Sequence, residues 1–215
     1  MKLTLLLMLV NIAVFLYASQ NLDYFVDKYG FSSDSFIRGN YINIITAMFM
    51  HKSILHIALN MTLLFFIAKQ VENEIGWLVL PIYFLSGLIA NIGVLLLPFI
   101  GQSATVVGAS AAISGLIGYG AFKLSGDWVK SPLSFIPLPL PFIASGAMYF
   151  VINFAGVLAF DLPSIGHLVG GFAGAFIGMY GEDEKLKKML IFIFLIGFIT
   201  ILPFLLENLL HSLNF

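Results

Sequence analysis

Four side chains in an otherwise apolar chain could do chemistry: Ser110 in "VVGASAAISG", His167 in "PSIGHLVGGFAG", and His56 and Asn60 in "HKSILHIALNMTLL". A serine hydroxyl is a weak nucleophile until a neighbouring base takes its proton, and neutral imidazole is the usual base. Ser110 and His167 would form such a pair if the fold brings them together. Acyl transfer also needs donors aimed at the developing oxyanion. His56 and Asn60, at i and i+4, share one helix face and can both donate. The Ser110 N–H is a third donor if a helix begins there, and Gly108 permits the backbone turn that would start it. No carboxylate third member is evident, because Asp161 lies six residues before His167 and reads as a solvated loop charge. Ser114 reads as a small packing residue whose hydroxyl bonds its own i−4 carbonyl. Asn91, Asn153 and His211 are further polar groups within apolar runs.

These residues must be positioned by elements that live in lipid. Of 215 residues, 60% are hydrophobic and only 10% charged, and the mean hydropathy is +1.02. That is too little polar surface for a water-soluble domain, so the expected class is an all-α, polytopic membrane protein. The net charge is −1 with no long basic run, so no nucleic-acid partner is expected. The chain has no cysteine, which excludes disulfides, thiolate catalysis and Cys-ligated metal. No repeat or long linker divides it, so residues 1–215 read as one domain.

A spanning helix needs about 20 mostly apolar residues. Seven runs approach this: 3–18, 53–71, 77–99, 108–124, 140–160, 164–180 and 189–210. The first is read as a retained span rather than a signal peptide. With the N-terminus inside, Lys2, Lys69, Lys123, Lys130, Lys185, Lys187 and Lys188 are cytoplasmic, and Lys28, Arg38 and Lys52 are outside. This bias favours N-in, C-out. The stretch from Ser19 to about Met50, rich in aromatics, suits either an ordinary outer loop or a segment lying in the membrane interface.

Depth follows from counting inward from the first cytoplasmic charge. Ser110 is 13 residues from Lys123, His167 15 from Glu182 and His56 13 from Lys69. At 1.5 Å per residue each stands about 20 Å above the inner surface. Ser110, Ser114 and Gly118 make a small-residue face on the fourth span, and Gly170, Gly174 and Gly178 make one below His167. Two such faces let backbones approach closely. Intramembrane histidines could instead move protons or ligate haem. The glycines below His167 argue for tight helix contact over a cofactor-sized gap, so no cofactor and no metal are expected.

Three segments together resemble the rhomboid family of intramembrane serine proteases: "TAMFMHKSILHIALN" with its HxxxN, "GAS" with its GxSx, and "GHLVGGFAG" with its His–GxxxG. They cover about residues 43 to 180 in the family's order, and Glu72 also resembles a family position. The resemblance implies a six-helix core, about 1–181, plus a C-terminal helix, about 189–210, in a 6+1 arrangement. It implies that Ser110 is the nucleophile and His167 the base, that His56 and Asn60 stabilise the oxyanion, and that His51 structures the adjoining water-accessible cavity. The fifth span and the following loop would act as a lateral gate, and the run "SPLSFIPLPLPF" before it keeps its start irregular. The implied activity is endopeptidase cleavage of single-span membrane proteins from the lipid bilayer, with the site opening to the outer face of the cell membrane. The alternative is an inactive relative that binds membrane helices without cutting them. Two positions depart from the family pattern. Ile42–Asn43 stands where members often carry Trp-Arg, and Ser114 stands where many carry an aromatic that stacks on the catalytic histidine.

Overall fold

The computed structural model describes residues 1–129, 140–159 and 161–212, with side chains described through residue 201 except that of Ile100. Among the described residues, ten α-helices account for most of the structure: α1 (Lys2–Ala18), α2 (Leu22–Tyr29), α3 (Ser33–Ile37), α4 (Asn43–Thr46), α5 (Ile54–Ile75), α6 (Val79–Val94), α7 (Ser110–Lys123), α8 (Phe142–Leu158), α9 (Leu162–Met179) and α10 (Lys185–Ser212). The fold is therefore mostly α-helical, with one addition that the hydropathy pattern does not signal. Strands β1 (Trp128–Val129) and β2 (Leu140–Pro141) pair antiparallel, Trp128 opposite Pro141 and Val129 opposite Leu140. Most of "SPLSFIPLPLPF", residues 131–139, lies outside the described residues, as do Phe160 and the His211 side chain.

Among the described residues, two helical stretches are long and apolar enough to cross a membrane by length and composition, Ile54–Phe99 and Leu162–Met179. Helices α1 and α8 are apolar and 17 residues long. Large apolar side chains point outward: Leu6, Leu9 and Leu16 on α1, Phe172 and Phe176 on α9, and Leu190 and Phe194 on α10. Water would not tolerate so much exposed hydrocarbon on a monomer, and lipid requires it. Family-scale resemblance aside, this surface points to membrane association.

Helix α7 is the centre of the fold. Every residue from Ala112 to Phe122 is buried, as expected of a helix that is apolar or small all round. One cluster joins it to α1, α5 and α6 through Leu64, Ile67, Tyr83, Ile113 and Ile117. A second, with Ala121, Ala147, Phe150, Ala175 and Phe192, joins it to α8, α9 and α10. The most extensive helix pair is α7 with α9. There the glycine stripe meets main chain: a Cβ added at Gly170, Gly174 or Gly178 would strike the carbonyl oxygens of Ala111, Gly115 and Tyr119. The stripe itself lies on 111/115/119, while the adjacent 110/114/118 face expected from the sequence also meets α9, since a Cβ added at Gly118 would strike Gly171 O.

The long connection between α1 and α5 is built from short helices. Asn21 and Ser32 cap α2 and α3 with their side-chain oxygens, removing free N–H groups from each first turn. Asn43, at one of the departures noted above, is buried and donates its amide to the carbonyls of Lys28 and Gly30, both at 2.9 Å. Thr46 donates to Tyr29 O at 2.8 Å, and Asn91 of α6 to Ile44 O at 2.8 Å. Side-chain amides thereby fasten this loop in the absence of the Trp-Arg pair. At the opposite end Glu72 is buried, accepting from Leu3 N, Thr4 N and Thr4 Oγ1. A carboxylate there satisfies the free donors of α1 and complements its dipole.

The C-terminal helix is docked by charge. Lys188 donates to Phe122 O at 3.0 Å and pairs with Glu182 at 2.9 Å, while Lys123 stands 3.6 Å from the same carboxylate. The hydrogen bond from Lys188 holds the Glu182 carboxyl below its usual value of 4.5, with the Lys123 charge adding to the effect. A depressed folded value stabilises the fold above the unfolded value, and this contribution is lost as pH falls through the folded one. Glu182→Gln is therefore expected to cost about 0.5–1 kcal/mol at pH 7. In thermal unfolding at a series of pH values, the gap from wild type should close as the solution is acidified below the carboxylate range.

Candidate active site

The site begins where the chain turns into α7. Val106 bridges to Phe31 through two backbone hydrogen bonds, Phe31 N to Val106 O at 3.1 Å and Val106 N to Phe31 O at 2.8 Å. Gly108 N then donates to Ala47 O at 2.8 Å. Gly108 has φ +117°, a region that L side chains rarely enter and that lets the strand-like segment swing into a helix. Ser110 is the first helical residue, so no carbonyl one turn earlier engages its N–H. In the second turn of α9, which opens with Pro163 in its first turn, stands His167.

The two meet: His167 Nε2 lies 2.8 Å from Ser110 Oγ. On the far side of the ring, Nδ1 lies 2.8 Å from Asn153 Oδ1 of α8, and Asn153 Nδ2 donates to Tyr149 O at 2.8 Å. Tyr149 OH is 2.6 Å from Ser114 Oγ, which donates to Ser110 O at 2.7 Å. Its ring is tilted 43° to the imidazole, with centroids 6.4 Å apart. Three helices thus close one polar circuit, Ser110–His167–Asn153–Tyr149–Ser114, inside an apolar bundle. A hydroxyl bonded to an imidazole whose other nitrogen is also engaged is an arrangement suited to nucleophilic catalysis.

His56 and Asn60 of α5 face the same space. A Cβ placed on Gly108 would sit 2.8 Å from His56 Nε2 and 3.8 Å from Ser110 Oγ, so the missing side chain leaves the gap between them open. Lys52 N approaches His56 Nδ1 at 3.5 Å, which favours the tautomer with its proton on Nε2, directed at that gap. Asn60 is buried and spends one amide hydrogen on His56 O at 2.9 Å, with the other uncommitted among the described residues. A cavity of about 760 Å³ opens here, lined among others by His56, Asn60, Ser110, Asn153 and His167.

His51 is fully buried, bonds Phe49 O at 3.2 Å and packs its ring 5.0 Å from that of His56. It stands behind His56, outside the cavity lining. Asp161 is exposed and accepts from Ser164 Oγ, and among the described residues the two imidazole nitrogens bond Asn153 and Ser110, not a carboxylate. Ser114 is more than the spacer expected from the sequence, since it makes the i−4 bond and also holds Tyr149. The aromatic ring near the imidazole comes from α8 instead of from the position four residues after Ser110. Tyr149 was not legible as a site residue, and Asn153 was legible only as an unexplained polar group. The available signal was their i, i+4 spacing, which puts both on one face of α8. Among the described residues, no three His, Asp or Glu side chains converge as metal ligands.

A family model described as "Rhomboid domain" matches residues 38–183. Among curated proteins, "Rhomboid-like protease 3" of Toxoplasma gondii is 31% identical over 145 residues, covering 66% of this chain and 52% of the relative. "RHOMBOID-like protein 6, mitochondrial" of Arabidopsis thaliana is 33% identical over 141 residues, covering 62% of this chain and 42% of the relative. The chain spans about half the length of the curated relatives it matches.

Proposed function

The chain belongs to the rhomboid family, and from that premise we propose that it is an intramembrane serine endopeptidase, with Ser110 as nucleophile and His167 as general base. The observation that carries the reading is the 2.8 Å contact between Ser110 Oγ and His167 Nε2 at the edge of a cavity of about 760 Å³. Ser110 Oγ attacks the scissile carbonyl carbon and its proton passes to Nε2. The oxyanion accepts from the Ser110 N–H, from His56 Nε2–H and from Asn60 Nδ2–H. Collapse breaks the C–N bond, and His167 returns the proton to the leaving amine. Water, activated by the same imidazole, then hydrolyses the acyl-enzyme.

In this reading α1, α5, α6, α7, α8 and α9 form a single six-span domain and α10 adds a seventh span. The lysine bias orients the N-terminus inward and opens the site to the outer face. Substrates are single-span membrane proteins that enter from the bilayer. Their helices must unwind before attack, so Gly, Ser or Pro near the cut should be favoured. The test is cleavage of a model single-span substrate in proteoliposomes by wild type, Ser110→Ala and His167→Ala. Binding of the substrate by wild type without cleavage would establish the inactive, helix-binding alternative. His56→Ala is expected to lower kcat about 10²-fold with KM little changed, the pattern of a donor engaged in the transition state.

A further inference from the structure

We propose that Asn153 is a positioning residue for the Ser110–His167 pair, fixing the tautomer and ring plane that leave His167 Nε2 free to take the serine proton. A backbone carbonyl only accepts, so the end of the Asn153 amide that meets Tyr149 O at 2.8 Å is the nitrogen. The other end, 2.8 Å from His167 Nδ1, is then the oxygen, which also only accepts. Nδ1 must carry the hydrogen. A neutral imidazole has one N–H, so Nε2 holds the lone pair, and Ser110 Oγ–H donates to it across 2.8 Å.

Left alone, a histidine imidazole prefers its proton on Nε2, where it would oppose the serine hydroxyl instead of receiving its proton. Asn153 reverses that preference. After proton transfer the same oxygen still accepts from Nδ1–H of the imidazolium, so the contact is kept through the reaction. Asn153 is itself held: it is buried, and its helix is tied to α7. Ser114 Oγ spends its hydrogen on Ser110 O, so Tyr149 O–H must be the donor to Ser114. The orienting amide and the nucleophile are thereby referenced to one turn of α7, and Asn153, not the exposed Asp161, is the group bonded to Nδ1.

The deciding experiment reads the tautomer directly. Protein labelled with ¹⁵N-histidine is studied in detergent above the imidazole titration, and the His167 signals are identified by their loss in His167→Ala. Wild type and Asn153→Asp are expected to carry the proton on Nδ1, and Asn153→Leu to shift toward Nε2. A proton on Nε2 in wild type, or an unchanged ratio in Asn153→Leu, overturns the proposal. The kinetic arm rests on the endopeptidase reading: where cleavage depends on Ser110, Asn153→Leu should lower kcat about 10²-fold with KM little altered, and Asn153→Asp should recover most of the loss. Wild-type kcat in Asn153→Leu would also overturn it. If wild type cleaves nothing, the endopeptidase reading fails while the spectra still decide the role of Asn153. A variant that does not fold is recognised by thermal unfolding, and Asn153→Asp, which keeps the acceptor, then carries the test.

Discussion

Ser110→Ala and His167→Ala are each expected to lower the cleavage rate about 10⁴- to 10⁶-fold, and the double variant no further than the worse single one. The reason is that one bond joins them. Without the hydroxyl there is no attacking atom, and without the imidazole the hydroxyl keeps its proton at neutral pH. The loss corresponds to about 5–8 kcal/mol of transition-state stabilisation. Both substitutions remove a few atoms beside an open cavity, so thermal unfolding should move little. Single-turnover cleavage in proteoliposomes, with unfolding as control, separates chemistry from folding. Equal rates in wild type and both single variants would remove the pair from the mechanism.

The second large effect is structural. Gly174→Ala is expected to destabilise the protein by about 1–3 kcal/mol, because its Cβ would collide with the carbonyl oxygen of Gly115. Main chain cannot rotate aside as a side chain can, so α7 and α9 must separate. Gly118, whose Cβ would meet Gly171 O, faces the same obstacle from the other helix. Separation also moves Ser110 from His167, and a misplacement of about 1 Å can cost 10²-fold in rate. Gly197 on α10 is the internal control: nothing lies within 4 Å of an added Cβ. Gly197→Ala should be neutral or stabilising by up to about 1 kcal/mol. A Gly174→Ala protein with wild-type unfolding temperature and activity would contradict the packing described here.

Hydropathy and helix punctuation made the elements legible. The run expected at 108–124 is α7, Ser110–Lys123, and that expected at 164–180 is α9, Leu162–Met179. Depth was legible for the same reason, since helical rise converts residue counts into height, and Ser110 and His167 do share a layer. Rotation about the helix axis was not. On α7 the uniformly small row is Ser110, Ser114 and Gly118, yet the α9 stripe lies against the main-chain carbonyls of Ala111, Gly115 and Tyr119, where the tyrosine side chain disguises the row. On α8 nearly every residue is apolar, and the i, i+4 spacing of Tyr149 and Asn153 marks a shared face without saying which helix that face meets. The Asn43 anchor was hidden because its partners are the carbonyls of Lys28 and Gly30, which carry no side-chain signature.

The glycine seam has an entropic consequence. Freezing rotatable side chains at a helix interface costs up to about 2 kcal/mol each, while glycine and alanine lose nothing at χ angles they do not have. Along the seam, Gly170 and Gly174 meet Ala111 and Gly115, so much of this contact forms with no rotamers to order and leaves none to fluctuate. The separation of the hydroxyl and the imidazole is then set by the stiffest part of the polypeptide, its peptide planes, and inherits little of the thermal play that side-chain packing allows.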